Sequence, residues 1–209
     1  MRKFLNSNRV LCLSPHPDDV EYAMIGSFLK FTDTHFDIIT CSIGGKFDKT
    51  SSKSRHVECS NIHEIIPNVS GYFLSEDHLR DMGDDFIVNK IETSFDLSKY
   101  DLILLPPQED THHDHRKVNL SGMALTRKEK LGVVEYRTPT TVDTWIGNCF
   151  IDISELLDEK IELIKKFNSQ NHRIYFNDFS IKSFHSNYQC SRRNIGYVEI
   201  YKIHRLYDL

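Results

Sequence analysis

The chain has 209 residues, of which 39% are hydrophobic and 27% are charged, and its formal net charge is -4 at pH 7. This composition is typical of a globular domain and excludes an intrinsically disordered chain. The acidic balance excludes a broad basic surface for nucleic acid, and no apolar stretch approaches the roughly 18 residues that a membrane span requires.

Strand-like and helix-like segments alternate along the first half of the chain. Short apolar runs predict strands at residues 9–14, 36–43, 69–75 and 101–107, and apolar residues at helical spacing predict helices at residues 19–31, 54–66 and 84–95. The clearest strand, residues 101–107, ends at two prolines, which cannot donate hydrogen bonds to a sheet. Continuous apolar strands that alternate with helices indicate a mainly parallel sheet covered on both faces.

The pattern changes after residue 130. Strands are predicted at residues 133–138, 149–153 and 196–203, and a helix at residues 154–170, with Ser154 placed to cap it. No repeat or obvious linker interrupts the sequence. We therefore expect an α/β fold, a single-domain Rossmann-like sandwich over residues 1–209 with a mostly parallel sheet flanked by helices.

The cysteines indicate the compartment of the protein. They are Cys12, Cys41, Cys59, Cys149 and Cys190. Their odd number, wide spacing and lack of a CxxC pair favour a reducing compartment over a disulfide framework. The first ten residues contain basic side chains but no apolar core of a secretory signal. We therefore expect a cytoplasmic protein.

Two polar clusters follow predicted strands. "SPHPDD" (14–19) comes after the first strand, and "EDTHHDHR" (109–116) comes after the fourth. Ligands of open parallel sheets bind outside the carboxyl ends of the strands. We therefore expect the two clusters to meet in one crevice.

The residue types and their spacing fit a catalytic metal site. The proline after His16 favours an extended conformation, and the adjacent Asp18 and Asp19 point in different directions, so that one can bind a metal while the other faces its water. His112 and His115 are three residues apart and would share one face of a helical turn. Three nitrogen and oxygen ligands with an open fourth position describe a catalytic zinc site.

Each cluster alone also has a simpler explanation. Pro-Asp-Asp is common in turns, and "THHDHR" suits a solvated helix start with an aspartate near the positive end of the helix dipole. Asp110 would then be an ordinary cap and His113 a solvent-facing residue. The occurrence of both clusters at strand ends favours the metal site.

At these residues the sequence resembles the PIG-L/LmbE-type zinc N-deacetylases. "SPHPDD" is similar to their first motif, and residues 110–115, "DTHHDH", are similar to their second. Supporting similarities, which extend the resemblance from about residue 9 to about residue 200, are "SIGG" (42–45), Arg55-His56-Val57-Glu58, Ile151-Asp152-Ile153-Ser154, Lys160 and Ser169-Gln170. Tyr188 and the Arg192-Arg193 pair resemble a C-terminal segment of the family that approaches the substrate.

The chain departs from the family pattern beside both motifs. Val20 stands where the family usually has Glu or His, and Gly26-Ser27 stands where a Gly-Gly pair is common. His113 stands where the second motif often has proline. None of these departures removes an expected metal ligand.

The resemblance implies a zinc site with a general base beside it. His16, Asp19 and His115 would bind Zn²⁺, which would lower the pKa of its water to about 7. Asp18 would take the proton of that water. Sites of this ligand type also accept Fe²⁺, Co²⁺ or Mn²⁺.

Three more residues receive expected roles from the resemblance. His112 would be the acid, or the cationic group, that serves the amine leaving group or the developing oxyanion. Asp114 would hold the His112 ring by a hydrogen bond and favour its charged form. Arg55 would reach the substrate; the alternative is a surface ion pair with Glu58 or a neighbouring residue.

The expected activity is zinc-dependent removal of the N-acetyl group from an amino-sugar-containing substrate (a sugar nucleotide, a glycan precursor or a thiol-sugar), giving a free amine and acetate. One alternative is an amidase that removes a larger acyl group, and another is a non-catalytic binding module, which would need neither Asp18 nor His112. A nucleotide-binding domain is disfavoured because no G-x-G-x-x-G follows the first strand. The expected partner is the small-molecule substrate.

Overall fold

The computed structural model describes residues 3–43, 49–187 and 195–207. The strands are β1 (Arg9–Ser14), β2 (His35–Thr40), β3 (Val69–Phe73), β4 (Leu102–Leu105), β5 (Gly132–Tyr136), β6 (Cys149–Asp152) and β7 (Val198–Arg205). The α-helices are α1 (Asp19–Lys30), α2 (Lys49–Ile65), α3 (Phe86–Ser94), α4 (His113–Leu125), α5 (Leu157–Ile164) and α6 (Asp178–His185). The predicted alternation of strands and helices in the first half is confirmed.

The strands form one seven-stranded sheet in the order β3-β2-β1-β4-β5-β7-β6. The strands from β1 to β5 pair in parallel, and β7 runs antiparallel between β5 and β6. This confirms the expected α/β fold with a mostly parallel sheet. The chain proceeds outward from β1 through β2 to β3 and then returns to β4 on the other side of β1. The loops that follow β1 and β4 therefore open a crevice at the topological switch point.

Helices cover both faces of the sheet, so that alternate residues of β1 enter two different cores. Val10 and Cys12 pack in one core with side chains of α1, α5 and α6. Leu11 and Leu13 pack in the other core with side chains of α3 and α4. Burial on both faces explains the continuous apolar run of β1. The same packing holds the carboxyl end of β1, which carries the first polar cluster, in place.

Two predicted helix boundaries are wrong. Helix α2 begins at Lys49 rather than at residue 54. The predicted helix at residues 154–170 is only α5, Leu157–Ile164, with short 3-10 turns on either side. Ser154 does not cap it, because its amide and hydroxyl donate to Asp152 Oδ1 instead. Beyond α5, Glu58 of α2 accepts hydrogen bonds from the amide and hydroxyl of Ser169, and these tertiary contacts take the place of a further helical turn.

Helix α6 was not predicted from the sequence. It has only eight residues, of which Ile181 and His185 are buried, and Phe179 is 82% exposed, so its sequence offers few core positions from which to predict a helix. None of the helices within the described ranges combines the length and apolar character needed to cross a bilayer.

A buried ion pair ties β7 to α1 and α5. Lys160 Nζ donates to Glu199 Oε1 at 2.6 Å, and both side chains are buried. The same carboxylate accepts the backbone amides of Gly26 and Ser27 and the hydroxyl of Tyr201. Lys160 Nζ also donates to the carbonyl of Ala23, so the network fixes α1, whose first residues belong to the polar crevice.

Glu199→Ala is expected to lower the free energy of unfolding by about 3–5 kcal/mol, because it leaves the Lys160 ammonium buried without its partner. Urea denaturation followed by circular dichroism measures this loss. Glu162→Ala is the control, since it removes the 3.3 Å contact to the exposed Lys165 and should leave the midpoint unchanged. Equal losses in the two variants would contradict the expectation.

Candidate active site

The loops that follow β1 and β4 bring the two polar clusters together. His16 Nδ1 lies 3.1 Å from Asp19 Oδ2, and His115 Nε2 lies 3.3 Å from the same oxygen. Both histidine rings are buried. The clusters therefore meet in one crevice, as their positions at neighbouring strand ends predict.

The loop after β1 has an unusual backbone conformation. Ser14 Oγ donates to the carbonyl of His16 at 2.7 Å and accepts the amide of Val20, which holds the loop closed. Asp18 has φ 114° and ψ -25°, in the left-handed region that favours glycine. Such a conformation costs a non-glycine residue about 1–3 kcal/mol and persists only where surrounding contacts hold it.

The loop after β4 is organised by Asp110. Its carboxylate accepts hydrogen bonds from His115 Nδ1 at 2.9 Å, from the Thr138 hydroxyl at 2.6 Å and from the amide of His112 at 2.7 Å. Asp110 is therefore more than a helix cap, because it fixes the His115 ring with Nε2 towards Asp19. Thr138 was not identified from the sequence, although its position just after β5 is another strand end at the same edge of the sheet.

The crevice contains two groups of side chains that could hold a metal ion. They are His16, Asp19 and His115, and His16, His112 and Asp114. Two ligands of one tetrahedral zinc lie about 3.3 Å apart when each bond is 2.0–2.1 Å. The contacts of Asp19 with His16 and His115 are close to this separation. Asp110 also orients the outer nitrogen of His115, as outer carboxylates do in zinc sites. The first group therefore fits Zn²⁺.

Asp18 is buried beside this group and bonded to Arg55. Arg55 Nη2 donates to Asp18 Oδ1, and Arg55 Nε donates to the carbonyl of Pro17 at 2.5 Å. Glu58 bonds Ser169 instead, so the alternative Arg55–Glu58 pair is not formed. Burial raises the pKa of Asp18 to about 6, although Arg55 opposes the shift. Asp18 Oδ2 is buried and has no hydrogen-bond partner within the described residues.

The expected hydrogen bond from the His112 ring to the Asp114 carboxylate is not formed. Asp114 Oδ2 lies 3.0 Å from His16 Nε2, and His112 Nδ1 instead accepts the backbone amide of Asp114 at 3.2 Å. Burial lowers the pKa of His112, and the neighbouring His16 and His115 lower it further. The structure therefore favours a neutral His112, with its ring proton on Nε2. The Asp114 carboxylate instead contacts His16 on the other loop, and the spacing of residues within one motif does not reveal such a contact.

Mutual contacts set the charges of His16, Asp19 and His115. Burial alone would lower the pKa of His115, but Asp19 and Asp110 raise it to about 10. Burial would likewise lower the pKa of His16, and hydrogen bonds to Asp114 and Asp19 raise it. Burial would raise the pKa of Asp19, yet His115 and His16 hold that pKa well below its usual range. Ionised carboxylates thus converge where a cation would bind.

These side chains line a cavity of about 240 Å³. The cavity contains all the predicted site residues, namely His16, Asp18, Asp19, Arg55, His112, Asp114 and His115. The rest of the wall includes Tyr22, Arg80, Thr140, Arg173 and Tyr175, which were not identified as site residues from the sequence. Most of this wall comes from loops without a recognisable motif. Of the remaining residues that the resemblance suggested, Gly44, Gly45, Tyr188, Arg192 and Arg193 lie outside the described residues.

A family comparison agrees with the motif resemblance. The model of the family described as PIG-L, GlcNAc-PI de-N-acetylase, matches residues 11–126, which is more than half of the 209-residue chain. The chain belongs to the PIG-L family. The matched range includes both polar clusters and Arg55, so the candidate zinc ligands all lie within it.

Relatives of this PIG-L protein include characterised enzymes. The diacetylchitobiose deacetylase of Thermococcus kodakarensis is 22% identical over 192 residues, which cover 80% of this chain and 72% of that protein. The structure of the N,N'-diacetylchitobiose deacetylase of Pyrococcus horikoshii has a TM-score of 0.74 and 17% identity, covering 96% of this chain and 85% of that chain.

The fold is also shared with an enzyme of a different reaction class. The 4-carboxy-2-hydroxymuconate hydratase of Pseudomonas putida has a TM-score of 0.75 and 14% identity, covering 97% of this chain and 98% of that chain. The fold alone therefore does not decide the reaction. As a member of the PIG-L family, the chain is a hydrolytic enzyme that acts on amides.

Proposed function

We propose that this chain removes the N-acetyl group of an amino-sugar-containing substrate in a zinc-dependent hydrolysis that gives a free amine and acetate. The observation that carries the proposal is the position of Asp19 Oδ2, 3.1 Å from His16 and 3.3 Å from His115, with Asp18 and His112 beside it. These are the parts that metal-assisted amide hydrolysis needs: a metal site, a base and a donor.

His16, Asp19 and His115 would hold the zinc. A bound Zn²⁺ supplies Lewis acidity and lowers the pKa of a water molecule to about 7. Asp110 keeps the His115 ring in place, and Asp114 does the same for His16 through its 3.0 Å contact. These outer carboxylates leave the ligand set pre-oriented.

Asp18 would act as the general base. Arg55 holds one of its oxygens, and the other oxygen has no partner within the described part of the chain. That free oxygen can take the proton of the attacking water while the water oxygen bonds to the acetyl carbonyl carbon. The proposed base is therefore oriented by a salt bridge and keeps one buried carboxylate oxygen without a partner among the described residues.

His112 would assist the carbonyl oxygen and the leaving group. Its Nδ1 accepts a backbone amide, so neutral His112 presents the Nε2 proton as a donor. This proton can stabilise the developing oxyanion. When the carbon–nitrogen bond breaks, the amine nitrogen takes up the proton that Asp18 received, so the products are a neutral amine and acetic acid before they equilibrate with solvent.

The cavity supports a compact sugar with an anionic substituent. A volume of about 240 Å³ suits one acetamido sugar ring better than a ring with a long acyl chain. Arg80 and Arg173 both line the cavity, and neither forms an ion pair with a carboxylate within the described ranges. Guanidinium groups suit a phosphate, which favours a sugar phosphate or sugar nucleotide.

The wide spacing of the cysteines supports the cytoplasm as the proposed location.

An amine-release assay tests the proposal. The purified chain is incubated with N-acetylglucosamine, its 1-phosphate, its uridine diphosphate conjugate and diacetylchitobiose, and free amine and acetate are both measured. We expect equal amounts of amine and acetate, loss of both with a chelator, recovery with added zinc, and a higher kcat/KM for the phosphate-bearing compounds.

The N-butyryl counterpart of the best compound is the matched control. We expect it to react at least about tenfold more slowly, since extra methylene groups must enter a small cavity. Faster turnover of the butyryl compound would favour the amidase alternative. No amine from any compound, or release that a chelator does not affect, would rule out the proposed activity.

A further inference from the structure

A second cluster of ionisable side chains lies buried behind the loop after β1. His63 Nε2 lies 2.6 Å from Glu21 Oε1, and the Cys59 thiol lies 3.4 Å from the same oxygen. Glu21 and Cys59 are fully buried, and His63 is 6% exposed. None of these residues lines the active-site cavity. The proposed reaction therefore does not use them directly.

The distances distinguish this cluster from a second metal site. Its three ligand atoms lie within 4.8 Å of one another, which alone would permit an ion. The 2.6 Å contact between Glu21 and His63 is, however, a short hydrogen bond, well below the roughly 3.3 Å between two ligands of one zinc. The cluster is therefore a hydrogen-bonded pair with a thiol beside it.

The other oxygen of Glu21 connects the pair to Asp18. Glu21 Oε2 accepts the backbone amide of Asp18 at 2.9 Å. Asp18 is the residue with φ 114°, and such a backbone persists only where its surroundings hold it. Glu21 thus bonds the strained residue with one oxygen and His63 with the other.

Helix α2 contacts Asp18 by two routes. Arg55, Cys59 and His63 follow one another at intervals of four residues and so share one face of α2. Arg55 bonds the Asp18 carboxylate directly, while His63 acts on the Asp18 backbone through Glu21. Room for the His63 ring depends on Gly71 of β3, because a Cβ there would lie 2.0 Å from His63 Nδ1.

We propose that Glu21, anchored by His63, is a positioning residue that holds Asp18 in the backbone conformation needed for proton transfer. The inference rests on the proposed function, since it assumes that Asp18 is the general base. A base must stay within hydrogen-bond reach of its water, and a displacement of about 1 Å can lower the rate about 100-fold. Loss of Glu21 therefore lowers kcat, while the groups that bind substrate and zinc stay in place.

The test compares two pairs of variants on the compound that wild type deacetylates fastest. Glu21→Ala removes both hydrogen bonds, and we expect kcat to fall about 30- to 100-fold with KM within threefold and zinc content unchanged. Glu21→Gln keeps one oxygen for the Asp18 amide and should recover at least a third of the wild-type kcat. His63→Ala should lower kcat about tenfold, and His63→Gln, which can place an N–H near the position of Nε2, should restore it.

Glu58→Ala is the matched control. Glu58 also lies on α2 and accepts two hydrogen bonds, but both come from Ser169. We expect its kcat to stay within twofold of wild type even if its thermal midpoint falls. If Glu21 had only a structural role, Glu21→Ala and Glu58→Ala would both lower the thermal midpoint. Glu21→Ala would then not lower kcat, and the glutamine variants would show no recovery of kcat.

A kcat of Glu21→Ala within twofold of wild type would overturn the inference, as would equal losses in Glu21→Ala and Glu58→Ala. If Glu21→Ala does not fold, His63→Ala and His63→Gln test the inference instead. A kcat of His63→Ala within twofold of wild type would then overturn it. Failure of the proposed function is a different result, because wild type would then release no amine. In that case a crystal structure of the Glu21→Ala or His63→Ala variant still tests the positioning role, and an unchanged positive φ at Asp18 would refute it.

Discussion

Asp18→Asn is expected to lower kcat by about 10²–10⁴-fold in a protein that remains folded and retains its zinc. Asparagine has nearly the shape of aspartate and can still accept a hydrogen bond from Arg55, but its amide cannot take a proton from water. Asp18 lies outside the group His16, Asp19 and His115 that fits the metal. Steady-state kinetics of amine release, elemental analysis and circular dichroism together measure the three parts of this expectation.

Asp37→Asn provides the control for burial and ion pairing. Asp37 is fully buried in β2 and pairs with Arg9 at 2.6 Å, so it resembles Asp18 in burial and in having an arginine partner. It lies outside the cavity wall. We expect this variant to lose stability but to keep kcat within twofold. Full activity of Asp18→Asn would remove Asp18 from the role of base, and an equal kcat loss in both variants would attribute the effect to folding.

The sequence was sufficient to predict the meeting of the two polar clusters. Each cluster follows a mainly apolar run, and such runs form the central strands of a parallel sheet. Because β1 and β4 are adjacent in the sheet and parallel, their carboxyl ends lie side by side. His16 and His115 were thus expected at one place without any knowledge of side-chain contacts.

The contacts that orient these residues could not be predicted in the same way. The partner of Asp114 is His16 on the other loop, and Thr138, which bonds Asp110, follows a third strand. Spacing within a motif restricts only which residues share a local face. Hydrogen bonds between distant segments depend on how the loops are placed, and neither composition nor periodicity contains that information.

The end of α5 shows the same limit for secondary structure. Apolar periodicity predicted a helix to residue 170, but α5 ends at Ile164. Glu58 on α2 bonds the backbone amide of Ser169, so a tertiary contact overrides the local preference. Periodicity located the core-facing residues Leu157 and Ile161 correctly, because burial of one helix face is what it reports.

His115→Ala is expected to remove most of the bound zinc and, with it, the activity. Loss of an outer partner such as Asp110 typically costs about 10–100-fold in metal affinity, so loss of a direct ligand should cost more. Asp110→Asn should therefore lie between wild type and His115→Ala. Elemental analysis of the purified variants and competition with a zinc-sensitive dye measure the affinity, and kcat/KM should fall in the same order.

His112→Ala distinguishes the two groups of side chains that could hold the metal. Its ring stacks on that of His115 with centroids 4.7 Å apart, so the two substitutions remove equal rings from neighbouring positions. If His16, Asp19 and His115 bind the zinc, His112→Ala keeps the metal and loses activity by about 10²–10³-fold through loss of the donor to the oxyanion. The reverse pattern, with zinc lost in His112→Ala and kept in His115→Ala, would assign the metal to His16, His112 and Asp114. His16→Ala should lose zinc in either case, because His16 belongs to both groups.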